Sequence, residues 1–82
     1  MRFECVATQV EVPNSRHPGA PPILPAKPAG CQRFSSLEQA VEHAERYRAA
    51  PGGKQHFAVQ IFDKHRNTGD QELCWDSATE WT

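Results

Sequence analysis

Three cysteines (Cys5, Cys31, Cys74) and four histidines (His17, His43, His56, His65), set among ten carboxylates, are the nucleophile and metal-ligand candidates of this chain. Structural zinc sites use local clamps, C-x2–4-C or H-x3–5-H, because a short loop fixes two ligands on one ion. No pair here has that spacing, so neither a metal nor a cofactor is expected. Cys31 is the cysteine outside the strand-like runs, and it precedes a helix N-terminus, where a thiol pKa falls. It lies upstream of the helix cap with no histidine tied to it by sequence, and it reads as an ordinary loop cysteine. Glu38, Glu42 and Glu45 follow one side of a helix, the pattern of a solvated face. Gly52-Gly53 is a helix stop rather than a phosphate-cradling loop. A small layered fold also has little volume for a cleft of ~300 Å³ or more. The chain is not expected to be an enzyme.

The one recognisable short pattern is Pro22-Ile23-Leu24-Pro25-Ala26-Lys27, which fits P-x-x-P-x-K. A preformed polyproline II segment loses little entropy when it docks in an aromatic-lined groove. Prolines 13, 18, 21, 22, 25 and 28 lie in one stretch, so the motif also arises from composition alone. Ile23 and Leu24 mark the segment as more than a linker. They are expected to anchor it, either on the protein's own open sheet face or on a partner.

Regular elements must position this arm. Residues 2–12 alternate as a strand, with Phe3, Cys5 and Ala7 on one face and Glu4, Val6, Thr8, Val10 and Val12 on the other. The apolar set drifts between faces, which signals covering on both sides or a bulge. Residues 13–33 have no periodicity, and their prolines forbid helix and central strand alike. The arm should therefore be extended. Ser35 with Glu38 makes a capping box. Leu37, Ala40, Val41, Ala44 and Tyr47 then form a helical apolar stripe, stopped by Pro51, Gly52 and Gly53. Phe57, Val59 and Ile61 alternate as a strand; residues 64–70 supply a turn; Leu73 and Trp75 share one face of the returning strand, with Cys74 on the other. The tail is polar and ends in Trp81, read as exposed. The plan is α+β: a small three-stranded antiparallel sheet in β-α-β-β order. One helix packs on one face, and the Pro-rich arm joins the first strand to that helix. Residues 1–82 form a single domain.

Composition ranks the functions. Nine Lys and Arg against ten Asp and Glu leave a net charge of −1 with no basic stripe, a poor footprint for a phosphate backbone. No apolar run approaches the ~18 residues of a membrane span. The alternating, acidic start is unlike a signal-peptide core, and an odd cysteine count argues against a disulfide framework, so reduced thiols and a cytoplasmic setting are expected. In size and plan the chain resembles the small α+β proteins that phages and mobile elements encode to block host machinery, anti-CRISPR proteins among them. That resemblance covers architecture, with no residue signature to carry over. The leading expectation is a non-enzymatic protein-binding module, an inhibitor or adaptor, whose partner is a larger protein or complex. Its binding residues would be Pro22, Ile23, Leu24, Pro25, Lys27 and Trp81. The alternatives are a nucleic-acid-associated regulator with a basic patch of Arg46, Arg48, Lys54, Lys64 and Arg66, or an accessory subunit of a larger enzyme. A homodimer is compatible with all three.

Overall fold

The computed structural model describes residues 1–17, 19–64 and 71–81, and for Lys54 the backbone alone. Its elements are, in order, β1 (Phe3–Gln9), β2 (Lys27–Phe34), α1 (Leu37–Ala49), α2 (Gly53–His56), β3 (Phe57–Lys64), β4 (Gln71–Asp76) and α3 (Ser77–Glu80). The strands form one antiparallel sheet in the order β2-β1-β3-β4, and α1 packs across β1 and β3. The α+β class holds, but the sheet has four strands rather than three. The additional strand comes from the second half of the Pro-rich segment. Residues 27–34 lack alternation because an edge strand without a covering layer has no face to keep apolar; most of them are exposed. Pro28 is tolerated there because it sits at the β1–β2 register shift on an edge strand.

The period-2 pattern of β1 and β3 places one face under the helix. Cys5 opposes Ile61 and Ala7 opposes Val59, all four buried. Ala40 and Ala44 of α1, both fully buried, let the helix backbone approach this face closely, with Leu37, Val41 and Tyr47 packed around them. The drift noted in β1 has a simple origin. Val10 and Val12 lie beyond the strand, and Val12 forms an isolated bridge with Leu24.

α1 is capped by Ser36, whose Oγ accepts the Gln39 N–H at 3.2 Å, one residue later than Ser35. Ser35 to Glu38 and Ser36 to Gln39 both fit the capping signature, and β2 running to Phe34 decides between them. At the far end Gly52 and Gly53 take positive φ, and a Cβ on Gly53 would stand 2.5 Å from the Arg48 carbonyl oxygen.

Trp81 corrects the sequence expectation of an exposed tail. Asp76 caps α3 by accepting the Ala78 N–H at 3.0 Å, and buried Ser77 accepts the Val59 N–H at 2.9 Å. These bonds fold the tail back so that Trp81, 3% exposed, closes the core edge-on to Trp75 at 5.8 Å. Its indole N–H donates to Glu45 Oε1 at 3.3 Å.

Candidate functional site

The arm between β1 and β2 is a wide hairpin connection. Val12 N–H donates to the Leu24 carbonyl, and Ile23 N–H to the Val12 carbonyl, each at 2.9 Å. Gln9 adds a side-chain amide donation to the Pro25 carbonyl at 2.8 Å. Main-chain bonds thus order a segment from which no described residue between Val10 and Ala29 is buried. Ile23 is 66% exposed, Pro22 and Leu24 are half-buried, and Pro25 and Lys27 are exposed. Of the two anchorages expected for Ile23 and Leu24, the protein's own sheet face or a partner, Ile23 at 66% exposure is not held against the sheet. Leu24 pairs with Val12, because the strand that follows must return alongside β1 and carries the arm past the sheet rather than across it.

The sheet face opposite α1 carries Glu4, Val6, Thr8, Gln60, Phe62 and Leu73 by strand alternation. Glu4 stands between two cations there: Arg33 Nε at 3.2 Å and Lys64 Nζ at 3.4 Å. Burial alone would raise the Glu4 carboxyl, but hydrogen bonds from Arg33 and Lys64 outweigh it and hold the pKa below the usual value. Where the β1–β2 register shifts, a depression of about 610 Å³ opens, lined by Val6, Thr8, Pro28 and Cys31 among others.

On the helix side of β2 a second groove, about 500 Å³, runs between the edge strand and α1. Gln32 and Phe34 form its strand wall, and Gln39, Glu42, His43 and Arg46 its helix wall. His43 of α1 is half-buried. Its ring lies 5.1 Å from Phe34 and 5.8 Å from Tyr47, and Tyr47 meets Phe57 edge-on at 5.4 Å. Sequence reasoning missed this groove because it depends on β2 being a strand.

The described members of the expected basic patch do not come together. Arg46 and Arg48 belong to the last turn of α1, near the start of β3, whereas Lys64 ends β3. Eight strand residues separate those ends by about 23 Å at ~3.3 Å per step. Arg48 pairs with Glu45 at 3.8 Å, and Lys64 with Glu4. Arg66 and the side chain of Lys54 lie outside the described residues, as do residues 65–70 of the expected turn.

The thiols differ in setting. Cys5 is buried, and desolvation, then the neighbouring Cys31, push its pKa up to about 11. Cys31 lies in β2, not in a loop, and is exposed. Cys74 is exposed at the β3–β4 register shift, with its Sγ donating to the Ile61 carbonyl at 3.4 Å. Desolvation of that sulfur, then the Asp63 charge, raise its pKa. At the sheet's end Arg2 grips Asp63 through two hydrogen bonds of 2.7 and 2.8 Å, and these bonds, then the Asp63 charge, raise the Arg2 pKa. Among the described residues no three His, Cys, Asp or Glu side chains converge as metal ligands, and no helix is long and apolar enough to cross a membrane.

No family of known proteins, no curated protein and no solved structure matches this chain.

Proposed function

We propose that the protein is a non-enzymatic binding module, a small inhibitor or adaptor that docks on a larger protein or complex through the Pro-rich arm around Ile23. The observation that carries this reading is Ile23. It is a large aliphatic residue, 66% exposed, displayed on a segment ordered by main-chain hydrogen bonds. A side chain displayed on a preorganised backbone loses less entropy on binding than one on a free segment. Pro22 and Pro25 stiffen the backbone on either side, and Lys27 sets a cation at the base of the hairpin.

The test is affinity capture from the source cells with the parent and with Ile23→Ser, followed by thermal melts of both. Ile23 is mostly exposed, so its replacement should change stability by less than about 0.5 kcal/mol. The reading expects a co-purifying protein lost with Ile23→Ser at an unchanged melting temperature. A lowered melting temperature with capture intact would make the arm an internal brace and sink the reading.

A further inference from the structure

The two strands that end the sheet are not equivalent. β4 meets β3 across a register shift, with Cys74 at the irregularity. β2 is irregular only in its first half, at Pro28 and the shift opposite Ala7/Thr8, and from Gly30 to Phe34 its register against β1 is unbroken. Lys64 N–H donates to the Arg2 carbonyl and Val10 N–H to the His56 carbonyl, so even-numbered residues of β1 address β3. In an antiparallel strand a residue's N–H and C=O point to the same side, and sides alternate. Phe3, Cys5 and Ala7 therefore address β2, where they oppose Phe34, Gln32 and Gly30. The main-chain groups of Cys31 and Arg33 point outward. This half of the edge lacks the lysine, proline or bulge that blunts natural edges, and its one charge, Arg33, is tied back to Glu4.

A second copy fits this edge in one register. Two β2 strands running antiparallel about a two-fold axis at Gln32 set Cys31 opposite the partner's Arg33, and the two then exchange N–H and C=O groups as a hydrogen-bonded pair. Phe34 falls opposite the partner's Gly30, a pairing in which a ring can cover a bare edge backbone. An axis at Arg33 would instead oppose two guanidinium groups. An axis at Cys31 would run Phe34 onto the partner's Pro28, at the register shift.

The helix wall answers the same axis. Phe34 lies beside His43, their rings 5.1 Å apart, and Gly30 beside Tyr47, whose Oη stands 2.6 Å from where a Gly30 Cβ would be. Gln32 is midway between Phe34 and Gly30, so it is level with the stretch of α1 between His43 and Tyr47. Glu42 and Arg46 straddle that level and both line the groove. Neither makes an ion pair with a described residue, although they stand four residues apart on one helix. Within one chain their charges cancel and favour a ligand of neither sign. Across a two-fold axis they are complementary, because Glu42 of each copy faces the partner's Arg46. α1 lies over β1 and β3, so the two helix axes would stand about 19 Å apart at ~4.8 Å per strand, a gap that extended arginine and glutamate side chains bridge.

We infer that the protein pairs with a second copy of itself through the outer edges of β2, as one continuous antiparallel sheet with Gln32 on the two-fold axis and Glu42 of each copy facing the partner's Arg46. This interface does not rest on the reading of the arm, which lies beyond the paired stretch.

An edge of this length buries less than the ~1,200 Å² of a standard interface, so the dimer should form in the micromolar range. Sedimentation equilibrium and amide exchange of the full chain, each followed from about 5 µM to about 1 mM, test it. The mass should rise toward that of two chains, and the Cys31 and Arg33 amides should gain protection as concentration rises. Glu42→Arg alone, or Arg46→Glu alone, sets like charges across the axis and should weaken the dimer about tenfold, because symmetry counts each change twice. An equimolar mixture of the two single variants should associate like the parent, and so should the double charge swap. A pair acting only within one helix shows no rescue by mixing. Under mild oxidation Gln32→Cys in a Cys31→Ser background should cross-link two chains, and Cys31→Ser alone should not, since facing non-hydrogen-bonded residues stand at ~4.5 Å, within disulfide reach. Ile23→Ser with Leu24→Ser should dimerise normally, which separates this edge from the arm. A chain still monomeric at the highest concentration, Cys31 and Arg33 amides that exchange independently of concentration, a mixture no better associated than either variant, or a dimer lost with Ile23→Ser and Leu24→Ser would each overturn the inference.

Discussion

Truncating Trp81 tests the packing directly, because the sequence places this residue outside and the fold places it inside. A buried tryptophan removes up to about 250 Å² from water. At ~25 cal/mol/Å² that is worth ~6 kcal/mol, and a compact unfolded chain that already hides part of the ring reduces it to about 4–5 kcal/mol. Residue 81 is 3% exposed, so little of this is forfeited to solvent. A chain of 82 residues has a total stability of about 4–12 kcal/mol, so Trp81→Ala should remove about a third or more of it and unfold the chain at the low end of that range. Trp81→Phe keeps a ring against Trp75 but loses the donation to Glu45. Half-exposed Glu45 limits that bond to about 1 kcal/mol, and the lost ring volume adds a similar amount. A drop in melting temperature of roughly 5–15 °C follows for Trp81→Phe. Circular-dichroism melts and urea titrations of both variants measure the effect. A Trp81→Ala midpoint within about 0.5 kcal/mol of the parent would refute the closed core and return the tail to solvent.

Gly30→Ala should destabilise by about 1–3 kcal/mol, because its Cβ would stand 2.6 Å from Tyr47 Oη, while the next ring atom is 3.9 Å away. Adding Tyr47→Phe should therefore recover most of that loss, and a double-mutant cycle in urea with no coupling would contradict the contact. Alkylation of the native protein at pH 8 should label exposed Cys31 and Cys74, and Cys5 only after unfolding. Because burial raises the folded Cys5 pKa from 9.0 to about 11, its neutral thiol favours the fold fully below pH 9. Stability should fall between pH 9 and about 11 as the unfolded thiol ionises, and Cys5→Ala should flatten that limb.

The strongly periodic elements were legible in the sequence because periodicity reports local geometry and one-sided burial together. Phe3-Cys5-Ala7, Val59-Ile61 and the Leu37-to-Tyr47 stripe each show the face that packs, and the prolines and glycines show where each run must stop. The α+β layering followed from those faces. What the sequence withheld lies where residues are exposed on both sides or depend on partners distant in the chain. Residues 27–34 carry no alternation because an edge strand has no covered face, so only pairing with β1 makes them a strand. That strand in turn creates the groove against α1 and leaves an open edge. Ile23 and Leu24 are aliphatic wherever they dock; main-chain bonds from Val12, set by the hairpin, decided that they do not cover the sheet. Trp81 ends a polar tail, and local composition makes such a tail exposed. Its burial required a capped turn at Asp76, a Ser77 hydroxyl under Val59 and an acceptor on α1, three contacts that no stretch of sequence holds together. The bases were likewise near one another along the chain, but eight residues of β3 put Arg48 and Lys64 at opposite ends of the sheet, because an extended strand converts sequence separation into distance.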